Sequence, residues 1–140
     1  MKPEITITSP TGGMLRNDPM GLGHYGAPRG IARKHEGYDF LCIPGQDVVC
    51  PIEEGKVVRT AYPYEDHDYK GVLIEGRHIT VKLFYCEPWA HVIGKRVVRG
   101  EPVAVAQDIS KRYGSKMQPH VHLSITAIDP EMLVDGKVSV

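Results

Sequence analysis

Two short patterns in this chain carry side chains able to hold a metal ion and move a proton: His35-Glu36-Gly37-Tyr38-Asp39 and, about eighty residues later, His120-Val121-His122. On a β-strand, period two puts His120 and His122 on one face, roughly 6.7 Å apart along the backbone. Two such imidazoles can converge on one ion or on its bound water. His35 and Asp39 cannot both reach that ion from a straight strand, because four residues span roughly 13 Å. Gly37 between them permits the turn that would bring them together. Three nitrogen and oxygen ligands with a fourth position open to water is the arrangement of catalytic zinc, and a fourth polar group beside it would be the general base. Spacing alone does not say which of His120 and His122 binds the ion. The competing reading is a polar strand face or a hydrogen-bonded pair of core histidines.

These residues need a rigid frame, and the pattern around them is that of strands. Short apolar alternations are punctuated by 15 glycines and 11 prolines, which favours many strands joined by turns over long helices. The expected strands are Glu4 to Thr8, Gly37 to Ile43, Asp47 to Pro51, Lys56 to Ala61, Gly71 to Glu75, Ile79 to Cys86, Pro102 to Gln107 and His120 to Ile128. A short helix is expected within Gln107 to Tyr113, and an ordered loop or arm over Ser9 to Lys34. Two segments, Glu54 to Val58 and Gly94 to Val103, each feed valine pairs from a glycine turn. That echo suggests a sheet folded over on itself as a sandwich or barrel. The fold class is therefore mainly β, an antiparallel β-sandwich, in one domain spanning residues 1–140, with an arm at 1–21 and the site core at 22–130.

Composition narrows the function. Lysine plus arginine is 17 and aspartate plus glutamate is 17, so no basic footprint for nucleic acid or for an anionic membrane exists. No apolar run approaches the roughly eighteen residues of a membrane span, and no apolar segment follows Met1-Lys2-Pro3-Glu4 as in a Sec-type signal peptide. Cys42, Cys50 and Cys86 form no Cys-x-x-Cys pair, and buried free thiols are the expected state. A biotinyl or lipoyl carrier is disfavoured, because Ser115-Lys116-Met117 lacks the attachment signature that such a hairpin tip carries. Tyr62 to Tyr69 is expected as a solvated acidic loop whose tyrosines could also wall a groove. His24, His67, His78 and Trp89 are given no role.

The two histidine patterns together resemble those of the M23 zinc metallopeptidases, the lysostaphin-type and LytM-type peptidoglycan hydrolases. Tyr25-Gly26-Ala27-Pro28-Arg29 is similar to the Phe-Gly-x-Arg of that family. Gly94 to Val103 is similar to its Gly-x-x-Val-x-x-Gly-x-x-Ile, and Gly114-Ser115 to its approach to His-x-His. The resemblance runs from about Leu22 to Pro130. Within the family, Asp39 to Cys42, Gly71 to Arg77 and Val81 to Tyr85 resemble the leukocyte cell-derived chemotaxin 2-like members, zinc binders of the same fold that lack demonstrated peptidase activity.

The resemblance implies a sandwich related to the barrel-sandwich hybrid, with one Zn2+ held by His35, Asp39 and His122 and with His120 as base. It implies Tyr85 at the position of a second catalytic histidine, because counting back nine residues from Gly94 reaches Tyr85. Arg29, Tyr25 and His91 are candidate substrate-binding residues, His91 only if the connection before Gly94 is rearranged. The implied reaction is hydrolysis of peptide bonds in peptidoglycan stems or cross-bridges by a monomer. The alternative is a catalytically impaired zinc-binding module that recognises cell-wall or protein ligands. The implied site of action is extracellular, periplasmic or in the cell wall, reached through a phage, a dedicated secretion system or a removed leader.

Overall fold

A computed structural model gives the structure of the chain and describes residues 4–18, 21–22, 28–29, 33–34, 37–128 and 137–139. In chain order the strands are β1 (Glu4–Thr6), β2 (Asn17–Asp18), β3 (Gly21–Leu22), β4 (Pro28–Arg29), β5 (Arg33–Lys34), β6 (Gly37–Leu41), β7 (Asp47–Val49), β8 (Glu54–Ala61), β9 (Gly71–Glu75), β10 (Ile79–Phe84), β11 (Cys86–Pro88), β12 (Arg96–Val98), β13 (Pro102–Ala106), β14 (His120–Ile128) and β15 (Lys137–Ser139). A 3-10 turn at Ala90–Val92 lies between β11 and β12, and the single short helix among the described residues, α1 (Ser110–Tyr113), between β13 and β14.

Alternation builds the frame. In β10, Ile79, Val81 and Leu83 are buried and Thr80, Lys82 and Phe84 are half-buried on the other face. The same period buries Val121 and Leu123 of β14 and Val72 and Ile74 of β9. These strands join in a six-stranded sheet of order β12-β8-β9-β10-β14-β6, and β11-β13-β7 form a three-stranded sheet. Every pairing in both sheets is antiparallel. Val48, Cys50, Cys86, Val103 and Ala106 join the inner face of the larger sheet in one apolar core. Each fully buried aliphatic side chain there contributes about 1.5–3 kcal/mol. The fold is the antiparallel sandwich that the alternation predicts.

Several expected boundaries move, for identifiable reasons. The expected strand Ile79 to Cys86 is broken at Tyr85, whose φ of +70° lies in the left-handed region. Tyr85 and Cys86 both donate their N–H groups to the Lys70 carbonyl, at 2.8 and 3.1 Å, and Cys86 then starts a strand of the smaller sheet. The chain therefore switches sheets at Tyr85. Asp47 to Pro51 ends as a strand at Val49, and the helix begins only at Ser110. The Ser9 to Lys34 arm is not free of strands: β2 pairs with β3 and β4 with β5. Leu15 bridges to Phe40, so the segment 14–16 lies along β6. The thiols of Cys42, Cys50 and Cys86 are all free. Burial pushes the Cys42 thiol up to about 12.

Candidate metal centre

On the outer face of the larger sheet, paired residues line up in register across five strands, among them the row Ala61 on β8, Gly71 on β9, Phe84 on β10, His122 on β14 and Asp39 on β6. The period-two alternation that buries Val121 and Leu123 turns His120, His122 and Ser124 to this face. Gly71 is what admits Phe84. A Cβ there would lie 2.2 Å from the Leu83 carbonyl oxygen and 2.7 Å from Phe84 Cδ1. The Phe84 ring in turn stacks on His122, with centroids 6.2 Å apart and planes 13° apart.

His122 and Asp39 face each other directly. His122 Nδ1 lies 2.6 Å from Asp39 Oδ1, and His122 Nε2 lies 2.8 Å from Ser124 Oγ. The carboxylate of Asp39 is 1% exposed, and its Oδ2 is 3.3 Å from Nε of Arg16, whose side chain is fully buried. His120 Nε2 approaches the same Oδ2 at 3.6 Å. His120 Nδ1 lies 2.7 Å from the Gln118 carbonyl oxygen. A carbonyl only accepts, so in the neutral ring the proton belongs on Nδ1 and the lone pair on Nε2, toward Asp39. Burial holds the His120 imidazolium below its ordinary range, with Asp39 and the Gln118 carbonyl opposing that shift.

The two histidines are thus differently equipped. His122 Nδ1 and Asp39 Oδ1 are adjacent donors with outer partners already in place. Ser124 can accept from Nε2–H when Nδ1 is given to a cation, the usual support of a metal-ligating histidine. Among the described residues no three His, Cys, Asp or Glu side chains form a complete metal cage. The nitrogen and oxygen pair can fill two positions around a borderline cation such as zinc. His35 lies outside the described residues.

Tyr85 stands over His120, edge to face, with ring centroids 5.4 Å apart. In a continuing strand it would point into the core beside Leu83. The left-handed backbone turns it to the face of Phe84 and the histidines instead, in a conformation that is an outlier for an aromatic residue. Behind it lie tyrosines of the 62–69 loop and of α1. Tyr69 meets Tyr85 edge to face at 6.1 Å, and the Tyr64 hydroxyl is 3.4 Å from that of Tyr85 and bonded to that of Tyr113. The Arg112 guanidinium sits 3.8 Å from the Tyr64 ring centre and pairs with Asp66. The segment 62–69 is therefore part of an aromatic wall as well as an acidic loop. His67 stacks on Tyr62 at 3.9 Å.

Three sequence candidates remain. Tyr25 lies outside the described residues, and Arg29 is seen as a backbone position of β4 paired with Arg33. His91 is exposed on the 3-10 turn, 6.2 Å from the Trp89 ring, in a pocket lined by Asp47, Lys95 and Glu101 and not by the Asp39 cluster. Arg16, Phe84 and Ser124 were not among the sequence candidates. Ser124 could have been found by period two from His122, and Phe84 by the alternation of β10. Arg16 carries no local signal, because its contact with Asp39 comes from pairing between segments more than twenty residues apart.

Comparison with known proteins follows the same lines. No family model matches the chain. A structure from Pseudomonas aeruginosa assigned to peptidase M23 matches with a TM-score of 0.56 at 21% identity, covering 92% of this chain and 50% of that one. The catalytic domain of the antimicrobial peptidase lysostaphin from Staphylococcus simulans matches with a TM-score of 0.52 at 22% identity, covering 84% of this chain and 90% of that one. The chain therefore spans about half the length of the first structure and nearly all of the second, and it shares their fold. Leukocyte cell-derived chemotaxin-2 of Mus musculus is 33% identical over 108 residues, 76% of this chain and 68% of that protein. On that sequence likeness, carried by an M23 peptidase fold, the chain belongs to the leukocyte cell-derived chemotaxin-2 family.

Proposed function

We propose that this chain is a zinc metallopeptidase that hydrolyses peptide bonds in the stems or cross-bridges of bacterial peptidoglycan, at an extracellular, periplasmic or cell-wall site. Asp39 and His122 would hold one Zn2+ together with His35, and the donor chemistry of the Asp39–His122 pair fits that ion. When bound, zinc lowers the pKa of a coordinated water toward about 7 and polarises a peptide carbonyl. The observation that carries the reading is the setting of the His120 ring: Nδ1 lies 2.7 Å from the Gln118 carbonyl oxygen, which in the neutral ring leaves the Nε2 lone pair beside the Asp39–His122 pair.

From that position His120 Nε2 accepts the proton of the attacking water and returns it to the departing amine. Burial disfavours the imidazolium and so favours the free base that this role needs. Tyr85, over the His120 ring, would donate its phenol O–H to the carbonyl oxygen as charge develops there, a contribution of about 3 kcal/mol for one well-placed donor. The aromatic wall behind it would limit water on that side.

The second reading is a zinc-supported recognition module for cell-wall or protein ligands. It is favoured by Tyr85 itself, a phenol where M23 peptidases carry an imidazole, and by the 33% identical chemotaxin relative. Mass spectrometry of muropeptides incubated with zinc-loaded protein, chelated protein and Asp39→Ala separates the two. New fragments that require both metal and Asp39 are the expected result. Intact muropeptides with one zinc still bound per chain would overturn the peptidase reading. Tyr85→His sharpens the outcome, raising cleavage in an impaired enzyme and leaving a binder inert.

A further inference from the structure

Arg16 is 1% exposed, the largest of the fully buried side chains of the described structure, and it lies on the arm rather than in either sheet. A guanidinium is removed from water at large cost unless something charged is there to meet it. What meets it is Asp39 Oδ2, at 3.3 Å. The backbone on both sides holds this contact in place. The Arg16 N–H donates to the Asp39 carbonyl and the Leu41 N–H donates to the Met14 carbonyl, each at 2.7 Å. Thr11 Oγ1 donates to the Leu41 carbonyl at 2.6 Å. A Cβ on Gly13 would sit 1.9 Å from that same oxygen, so the approach of the two segments requires glycine there. The segment 11–16 thus lies along the edge of β6 and delivers one side chain to the carboxylate.

The two oxygens of Asp39 are consequently distinct. Oδ2 is engaged by Arg16, with His120 Nε2 at 3.6 Å, and Oδ1 is turned to His122 Nδ1. We infer that Arg16 is a positioning residue of the metal centre: it fixes Asp39 through Oδ2 so that Oδ1 faces the ion, and it thereby couples docking of the segment 11–16 to metal binding. This rests on the reading that Asp39 and His122 hold a metal. The coupling is reciprocal, since whatever the arm does for the ion the ion does for the arm. Outer partners of metal ligands typically change affinity by about 10- to 100-fold.

The experiment uses the full chain with Zn2+ alone as the probe, and its first arm needs no variant. Hydrogen exchange is followed with saturating Zn2+ and with chelator, comparing peptides covering 11–16 and 37–41 with one covering 96–106. Zinc is expected to slow exchange in 11–16 by roughly 10-fold more than in 96–106, within the usual range of coupling. Equal slowing of both, or no slowing of 11–16, would overturn the inference. In the second arm a chromophoric chelator competes for zinc with wild type, Arg16→Gln and Arg16→Lys, each checked for folding by circular dichroism. Arg16→Gln is expected to bind about 10- to 100-fold more weakly, and Arg16→Lys, which keeps a charged donor, to recover part of that loss. Unchanged or tighter zinc binding by Arg16→Gln, or no recovery by Arg16→Lys, counts against it. If Arg16→Gln does not fold, Arg16→Lys against wild type and the exchange arm decide. A wild type that binds no zinc fails differently, overturning the metal centre itself and this inference with it.

Discussion

Two of the rows of paired residues on the outer sheet face share strands and charge types and differ in their exposure to water. At one end the row Ala61, Gly71, Phe84, His122, Asp39 is met at Phe84 by Tyr85 and flanked by the arm at Asp39, and its carboxylate is 1% exposed. At the other end Arg96, Lys56, Glu75 and Thr80 pair across β12, β8, β9 and β10, with Arg96, Lys56 and Glu75 exposed. Both ends hold opposite charges and a histidine, since His78 lies beside Glu75 and Arg77 in the pocket at the second end. Charge density therefore does not distinguish a site from a surface. Burial does, because a charge pair is strong where water is excluded and nearly cancelled where it is not. The first end also fixes the other atom of each group: Ser124 on His122, Gln118 on His120, Arg16 on Asp39.

The largest way to break this contrast is Asp39→Asn. It keeps the shape and removes the charge that faces buried Arg16, and taking one partner from a buried pair costs about 3–5 kcal/mol. Denaturant unfolding of the zinc-free protein should show that loss, with an unchanged m-value if the folded state is otherwise intact. A loss below about 1 kcal/mol, the value of an exposed pair, would erase the distinction between the two ends.

A smaller expected effect comes from the packing that seats the row. Gly71→Ala would put a methyl against the Leu83 carbonyl and the Phe84 ring. The carbonyl is backbone and yields only if β9 and β10 part there, so the cost lies in the upper part of the roughly 1–3 kcal/mol of overpacking, and the Phe84 ring is pushed off His122. Unfolding measures the cost, and the ring-current shifts that Phe84 imposes on His122 protons report the displacement. Unmoved His122 resonances would show that Phe84 does not hold the imidazole.

How much of this was legible in the sequence depended on the range of the interaction. Gly71 to Glu75 and His120 to Ile128 were read with their observed bounds because alternation is local and uninterrupted there. The strand from Ile79 was read two residues too long, since no alternation pattern reveals the positive φ that turns Tyr85 over and starts β11. β12 was seen only as a valine pair after Gly94, too short for a period to register. Asp39, His120 and His122 were nameable as polar groups at strand spacings. Their unlike roles were not, because the Gln118 carbonyl and Arg16 reach them through turn geometry and through pairing of the arm with β6.

The smallest effect belongs to the exposed end, and it is the control on which the contrast stands. Glu54 accepts from Arg96 through Oε2 and from the Arg77 N–H through Oε1 at 3.1 Å, so by geometry alone it is as well bonded as Asp39. Yet the Arg96 side chain is 71% exposed and that of Glu54 32%. In that setting the attraction is set against the ordering of two long side chains and against salt, which leaves about 0–1 kcal/mol. Glu54→Gln keeps an acceptor for the Arg77 N–H and should lower stability by less than about 1 kcal/mol, a difference that vanishes when unfolding is repeated in 1 M salt. Asp39→Asn should keep its cost in the same salt, because ions do not screen a pair that water does not reach. If the two losses shrink together, the Asp39 pair is wetter than its burial indicates, and exclusion of water no longer separates the two ends.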